Sequence, residues 1–260
     1  MSATAAMHRA SADAFDLTLG GYRATVGTGR DVTQNALALR SRAFRRGMCD
    51  RDRYDRDCLH GVVVGPNSTP SVAFRVRLLD SPAQILACYT GQFYGLSPLC
   101  TQTGPLLELG RFCQAAGSTD IMALRLAWAA IAAVVDRSNA RMLIGCTALP
   151  GAQADRHTAT LATLAAHHVG PRALLPQRIS PLALDLPRER TDAPMPPLLR
   201  SYLNMGGWVS DHAVRDPDLD TIHVFTGLSV CAIPATRQRR LRALARCAAS
   251  HPLDLGRTAP

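Results

Sequence analysis

Glu108 stands in the run Leu106-Leu107-Glu108-Leu109-Gly110-Arg111, a carboxylate among apolar neighbours of strand-forming type. Partial burial beside Leu106 and Leu107 raises a carboxyl pKa toward useful basicity at neutral pH, which makes Glu108 a candidate proton acceptor. The structural alternative is an ion pair with Arg111 or another arginine. Arginine is the other prominent chemical group: the chain has no lysine, so all 29 basic residues are arginine, and against 20 acidic residues the formal charge is +9. A guanidinium keeps its charge and grips carboxylate or phosphate in a bidentate fork, so a partner rich in those groups fits. Nucleic acid, anionic lipid, an acidic carrier protein and an amino-acid carboxylate all qualify. Arginine-only usage is equally a habit of GC-rich genomes.

Other reactive groups argue mainly by exclusion. The eight cysteines are dispersed without a Cys-x-x-Cys pair, and no histidine stands at ligand spacing from them, so neither zinc nor another metal is expected. Cys88 and Cys146 lie inside apolar strand-like runs as small hydrophobes, which suggests a reducing, cytoplasmic setting. His167-His168, His212 and His223 lack acidic or cysteine partners at ligand spacing, so surface or packing roles are expected. The N-terminus has no apolar core of signal-peptide length, and no run of about 18 apolar residues occurs. The expectation is a protein that neither spans a membrane nor is exported by the usual route.

The elements that must position these groups follow from periodicity. Residues 1–18 read as a variable leader and residues 19–260 as one domain, whose first strand is predicted in GYRATVGT from its alternation and β-branched residues. A helix is predicted from about Asp31 to Arg46, and the charged stretch Asp50–Asp57 reads as a loop. HGVVVG and SVAFRVRLLD form a predicted hairpin about Gly65-Pro66-Asn67-Ser68. ILACYT and LLELGRFCQ are further predicted strands. Ser118, Thr119 and Asp120 offer N-cap chemistry to a helix whose apolar stripe is Ile121, Leu124, Trp128, Ile131 and Val135. RMLIGCTAL reads as a strand buried on both faces, residues 155–168 as a helix, and TIHVFTGLSVCAI as one or two strands. Seven of the 17 prolines lie between Gly170 and Pro197, where a surface excursion is expected. A basic helix from about Thr236 to Ala249 carries Arg237, Arg239, Arg240, Arg242 and Arg246, and can dock an acidic carrier protein or an anionic membrane or be a solvated face. The pattern as a whole is α/β (α+β), a mixed sheet flanked by helices.

Several blocks resemble, in order, the ornithine N-acyltransferases and their cousins the acyl-homoserine lactone synthases, members of the GNAT superfamily. They are Leu39-Arg40-x-Arg42-x-Phe44, Asp52-x-x-Asp55 with Cys58-x-His60, Phe74 to Leu79, Phe93-Tyr94, Glu108 to Arg111, Leu126-x-Trp128, and Pro196 to Leu203 with Gly206 downstream. The similarity covers roughly residues 35–230. The pyrophosphate loop Q/R-x-x-G-x-G/A usual in GNAT proteins is absent after Arg111, where the chain reads Phe112 to Thr119.

This resemblance implies a GNAT-like fold and transfer of a (3-hydroxy)fatty acyl group from acyl carrier protein to the α-amine of L-ornithine. No cofactor is implied, the carrier-bound thioester being a co-substrate. In such folds the acyl donor lies where two adjacent parallel strands splay, and Glu108 becomes the candidate base there, with Glu108→Gln expected to abolish most transfer and leave the fold intact. Arg40, Arg77 and Arg111 match family positions; they either pair with Asp52 and Asp55 to fasten a loop, or Arg77 or Arg111 binds the acceptor carboxylate and an Asp its distal ammonium. Phe44, Phe93, Tyr94 and Trp128 either line an acyl tunnel or pack the core. Rival readings are an acyltransferase for glycine or another amine, a homoserine lactone synthase, and a basic nucleic-acid-binding protein. Against the last, the chain is 5% aromatic, its arginines are spread over its whole length, and no nucleic-acid motif is recognisable.

Overall fold

The computed structural model describes residues 14–188 and 191–249. These divide into two compact units: the described residues up to 78, residues 109–140 and those from 235 on form the first, and residues 79–108 and 141–234 the second.

In the first unit, β1 (Phe15–Leu19) and β2 (Tyr22–Gly27) form a hairpin whose two-residue turn is Gly20-Gly21. Both turn residues have positive φ, 55° and 81°, the conformation that suits the right-handed twist of the flanking strands and that glycine adopts without a Cβ clash. β2 then pairs with β3 (Leu59–Val64), and β3 with β4 (Pro70–Leu79), all antiparallel. The last part of β6 (Leu106–Gln114) runs beside β4, where the Ala115 N–H donates to the Ser71 carbonyl at 2.9 Å. Helix α1 (Arg30–Phe44) buries Val32, Ala36 and Leu39 against Val62, Ala73 and Cys113 of the sheet. Gly61 faces Phe74 across the β3–β4 ladder, and the aromatic ring lies where a Cβ would stand.

In the second unit, Leu106, Leu107 and Glu108 of β6 pair in parallel with Met142, Leu143 and Ile144 of β7 (Met142–Pro150). β11 (Thr221–Ser229) pairs antiparallel with β7 from Thr221↔Pro150 to Ser229↔Met142, and β10 (Trp208–Asp216) and β9 (Ala183–Asp185) extend the sheet. A minor ladder joins β5 (Tyr94–Gly95) to β8 (Gln177–Arg178). The core holds Leu79, Ile85, Leu106, Ile144, Trp208 and Phe225, with a second apolar cluster about Leu149, Leu161, Leu164 and Val224.

Most predicted elements form. The α1 helix, the β3–β4 hairpin, β6, β7 and β11 fall where periodicity puts them. Helix α4 (Thr158–His167) lies within the predicted span, and the basic helix is α6 (Ala235–Ala248). Some elements differ from expectation. ILACYT is not a strand: α2 (Pro82–Leu86) and a 3-10 turn at Thr90–Gln92 occupy it, because Ser81 caps the helix by accepting the Gln84 N–H and Pro82 suits its first position. Phe15–Leu19, read as leader, is β1. β10 and α5 (Pro197–Leu203) are elements that periodicity does not predict, and the proline-rich excursion contains the short β8 and β9. Helix α3 (Ile121–Ser138) is capped by the Asp120 side chain, which accepts from Ala123 N–H at 3.0 Å. Its buried face is made largely of alanine, including Ala123, Ala127 and Ala130, whereas Ile121 is exposed. Alanine carries no branching to lose on burial, so it lets the helix approach its neighbours closely.

Candidate active site

The parallel ladder between β6 and β7 is three pairs long, and Glu108 with Ile144 is its last pair. Past Ile144, β7 stays paired with β11. The Glu108 side chain is buried, and its two oxygens are engaged: Oε1 accepts from the Thr90 N–H and the Thr90 hydroxyl, each at 2.7 Å, and Oε2 accepts from the Tyr89 N–H at 3.3 Å. A carboxylate that gathers donors from one 3-10 turn fixes that turn firmly, since hydrogen bonds to an ionised acceptor are the stronger kind. The arginine pairing considered for Glu108 gives way to this arrangement, and Arg111 instead reaches Asp50 and Asp52. Thr90 escaped the sequence reading because nothing marks a threonine 18 residues upstream as a carboxylate partner.

The turn that Glu108 holds delivers Phe93 and Tyr94. Phe93 meets the His223 ring edge-on at 4.7 Å between centroids, and Tyr94 lies 5.6 Å from His223 and 5.2 Å from His212. The Tyr94 hydroxyl is 2.9 Å from the His223 carbonyl, to which it donates, and 3.2 Å from His223 Nδ1. For His212 and His223 the sequence offers surface or packing roles; both are buried. Burial pushes the His223 pKa down to about 4, and the neighbouring His212 pushes the same way. His212 sits at an irregularity of β10, where the register shifts between Val209 and Ala213. There the Ser210 hydroxyl replaces ladder partners, accepting from Phe225 N–H at 3.1 Å and donating to the His212 carbonyl at 2.6 Å. An interrupted strand of this kind has no clean alternation, which is why β10 left no period to read.

The first unit holds a buried ion network. Arg40 on α1 donates from Nε to Asp50 Oδ2 at 2.8 Å, from Nη1 to Asp55 Oδ1 at 2.7 Å, and from Nη2 to the Asp50 carbonyl at 2.7 Å. Arg75 on β4 bridges Asp52 and Asp55 at 2.6 and 2.8 Å, and Arg111 on β6 reaches Asp50 at 3.1 Å and Asp52 at 3.3 Å. These three buried guanidinium groups match the three carboxylates in charge, and the partly exposed Arg45 adds a further contact to Asp50 at 3.3 Å. Burial alone would raise the Asp55 carboxyl, but Arg40, the Asp52 N–H and Arg75 outweigh it and hold the group well below the usual carboxylate range. Arg111 adopts φ 50°, an uncommon conformation for a non-glycine residue, held here by its two carboxylate partners.

The structure thus brings together Arg40, Asp52, Asp55 and Arg111, all legible as candidates in the sequence. Arg77 stands apart and pairs with Asp57 at 3.4 Å, and the β4 arginine inside the network is Arg75, two residues earlier on the same strand face. That spacing and Asp50, two residues before Asp52, were the available signals. Phe44 lies under Arg111, with the guanidinium carbon 5.8 Å from the ring centre. Trp128 is half-buried and stacks on Phe112 at 5.8 Å, which in turn stacks on Phe74 at 6.2 Å. On α6, Arg242 pairs with Asp136 of α3 at 2.7 Å, and Arg239, Arg240 and Arg246 are exposed. No helix among the described residues is long and apolar enough to cross a membrane.

Comparison with known proteins is consistent with this architecture. Residues 26–129 match the acetyltransferase (GNAT) domain family. An L-ornithine N(alpha)-acyltransferase of Rhodobacter capsulatus is 32% identical over 158 residues, a stretch that takes in 58% of this chain and 61% of the relative, so the chain spans less than two thirds of that protein's length. An L-ornithine N(alpha)-acyltransferase of Brucella abortus is 27% identical over 263 aligned residues, covering 88% of this chain and 92% of that one. Among solved structures, FeeM, an N-acyl amino acid synthase from uncultured soil microbes, superimposes with a TM-score of 0.46 at 9% identity over 87% of this chain and 97% of that chain. A mixed sheet flanked by helices thus accompanies a match to a GNAT domain family over residues 26–129 and sequence similarity to two L-ornithine N(alpha)-acyltransferases.

Proposed function

We propose that this protein is an N-acyltransferase that moves a (3-hydroxy)fatty acyl group from acyl carrier protein to the α-amine of L-ornithine, giving lyso-ornithine lipid. The observation that carries this reading is similarity, 27% identical over 88% of the chain, to a protein named L-ornithine N(alpha)-acyltransferase. The site chemistry suits it. Attack of an amine on a thioester requires a proton acceptor and stabilisation of a tetrahedral oxyanion, and no covalent enzyme intermediate. Within the second unit, the three-pair β6–β7 ladder ends at Glu108, and the carboxylate there anchors the turn that carries Phe93 and Tyr94.

The carrier protein is favoured as donor because the segment Phe112 to Thr119 lacks the glycine spacing of a pyrophosphate loop. Exposed Arg239, Arg240 and Arg246 on α6 offer charge to an acidic carrier or to an anionic membrane surface met from the cytoplasmic side. In the cell-level test, lipid extracts are compared from cells with and without the gene. Lyso-ornithine lipid present only with the gene supports the reading; its absence in both, under expression of the protein, overturns it.

A further inference from the structure

Two imidazoles of the second unit lie buried with an unused nitrogen. His212 and His223 are 1% and 2% exposed, and Nε2 of each has no hydrogen-bond partner. A buried polar atom left unpaired forfeits its hydration without return, so such atoms persist where a ligand or a reaction completes them. Two of them beside a single tyrosine ring call for an explanation that packing alone does not supply.

The hydrogen-bond network fixes which nitrogen carries the proton. His212 Nδ1 is 2.7 Å from Asp211 Oδ1, and a carboxylate oxygen only accepts, so Nδ1 donates and Nε2 bears the lone pair. The Tyr94 hydroxyl spends its proton on the His223 carbonyl, so His223 Nδ1 donates to the Tyr94 oxygen and its Nε2 also bears a lone pair. Both free nitrogens are therefore acceptors. Asp211 distinguishes the two: it orients His212, and its own side chain is 56% exposed, so the pair leads from the core to solvent. His223, with Phe93, Tyr94 and His212 around it, remains neutral. Glu108, by contrast, already receives three donors on its two oxygens.

We propose that His212, oriented by Asp211, is the proton acceptor for the attacking amine, that His223 accepts a hydrogen bond from the same amine, and that Glu108 is a positioning residue for the turn that carries Phe93 and Tyr94. The proposal rests on the acyltransfer reading above. The amine attacks in its neutral form; the C–N bond forms, the C–S bond breaks, and the proton shed by nitrogen passes to His212 Nε2. The imidazolium then gives that proton to the departing thiolate, so the imidazole returns neutral and the carrier leaves as its thiol.

The test uses the full chain with an acyl carrier protein thioester and L-ornithine, following kcat and KM against pH. His212→Asn and His223→Asn each keep a polar group at the Nδ1 position and remove the Nε2 acceptor. His212→Asn lowers kcat by about 10²-fold or more, the usual contribution of general-base catalysis, with KM for the acyl donor unchanged. His223→Asn raises KM for ornithine, and Asp211→Asn displaces the acid limb of the kcat/KM profile while circular dichroism stays that of the wild type. Near-normal kcat and an unmoved pH profile in a folded His212→Asn variant overturn the proposal alone and leave the two nitrogens as partners of an internal water. A wild-type protein that acylates no amine overturns the acyltransfer reading and this inference with it.

Discussion

Single side chains here are held by charge as much as by packing. Arg40 is fully buried and serves both Asp50 and Asp55. Arg40→Met removes the fully buried cation and leaves Asp50 and Asp55 to Arg111, Arg45 and Arg75, so the interior loses the charge-assisted bonds of Arg40 at a cost of about 3–5 kcal/mol. Chemical denaturation followed by circular dichroism reads that loss, and Arg40→Lys recovers little of it because a single ammonium cannot make the same fork of bonds. Thr90→Val is a gentler probe. It preserves shape and deletes the hydroxyl that donates to Glu108 at 2.7 Å, so stability falls by about 1–2 kcal/mol and acyl transfer declines as the turn loosens. Unchanged stability in Thr90→Val shows that the two backbone donors hold Glu108 by themselves.

At the scale of elements, close backbone approach sets what the sheet tolerates. The Trp208 indole lies against both Gly170 and Gly227, and a Cβ at Gly227 would stand 2.5 Å from the ring. Gly227→Ala therefore destabilises the second unit by about 1–3 kcal/mol through overpacking, and the paired change Trp208→Leu with Gly227→Ala recovers part of it. Thermal melts of the single and double variants measure the coupling. The same elements show what a sequence can disclose. β3, β4 and β6 were legible as apolar runs, β-branched in the first two, and α3 was legible as a helix although its buried face is largely alanine and Ile121 of the expected stripe is exposed. β10 was not, because Ser210 takes over ladder bonds at its irregularity and breaks the period. ILACYT misled because its apolar composition suits a strand, while Ser81 and Pro82 ahead of it start a helix. In the site, Arg40, Asp52, Asp55 and Arg111 could be singled out as charges in matching blocks. Glu108's tie to Thr90 and the burial of His212 and His223 depend on contacts across long sequence separations, which no local pattern records.

For the molecule as a whole, acid should be the adverse direction, and two groups set where. His223 has a folded pKa near 4 against an ordinary 6.5, so the unfolded chain binds a proton that the folded one refuses between those values. Its contribution is neutral above pH 6.5 and turns against folding as pH drops toward 4, by up to about 3 kcal/mol. Asp55 acts in the next window: its stabilisation is complete above the ordinary carboxylate pKa of 3.8 and is lost as pH falls below it. Melting temperature against pH in wild type and His223→Asn checks this, and the variant's curve is expected to be flatter between pH 6.5 and 4. Parallel curves place the acid sensitivity elsewhere. The net charge of +9, all from arginine, adds a salt-sensitive attraction to acidic partners, so activity with a carrier-bound donor is expected to fall as ionic strength rises. The central claim is met most directly by incubating the purified chain with an acyl carrier protein thioester and a panel of free amino acids, and identifying the products by mass spectrometry. The account predicts an amide on the α-nitrogen of ornithine, formed in preference to amides of the other amines; thioester hydrolysis without amide, or acylation of glycine with none of ornithine, would contradict it.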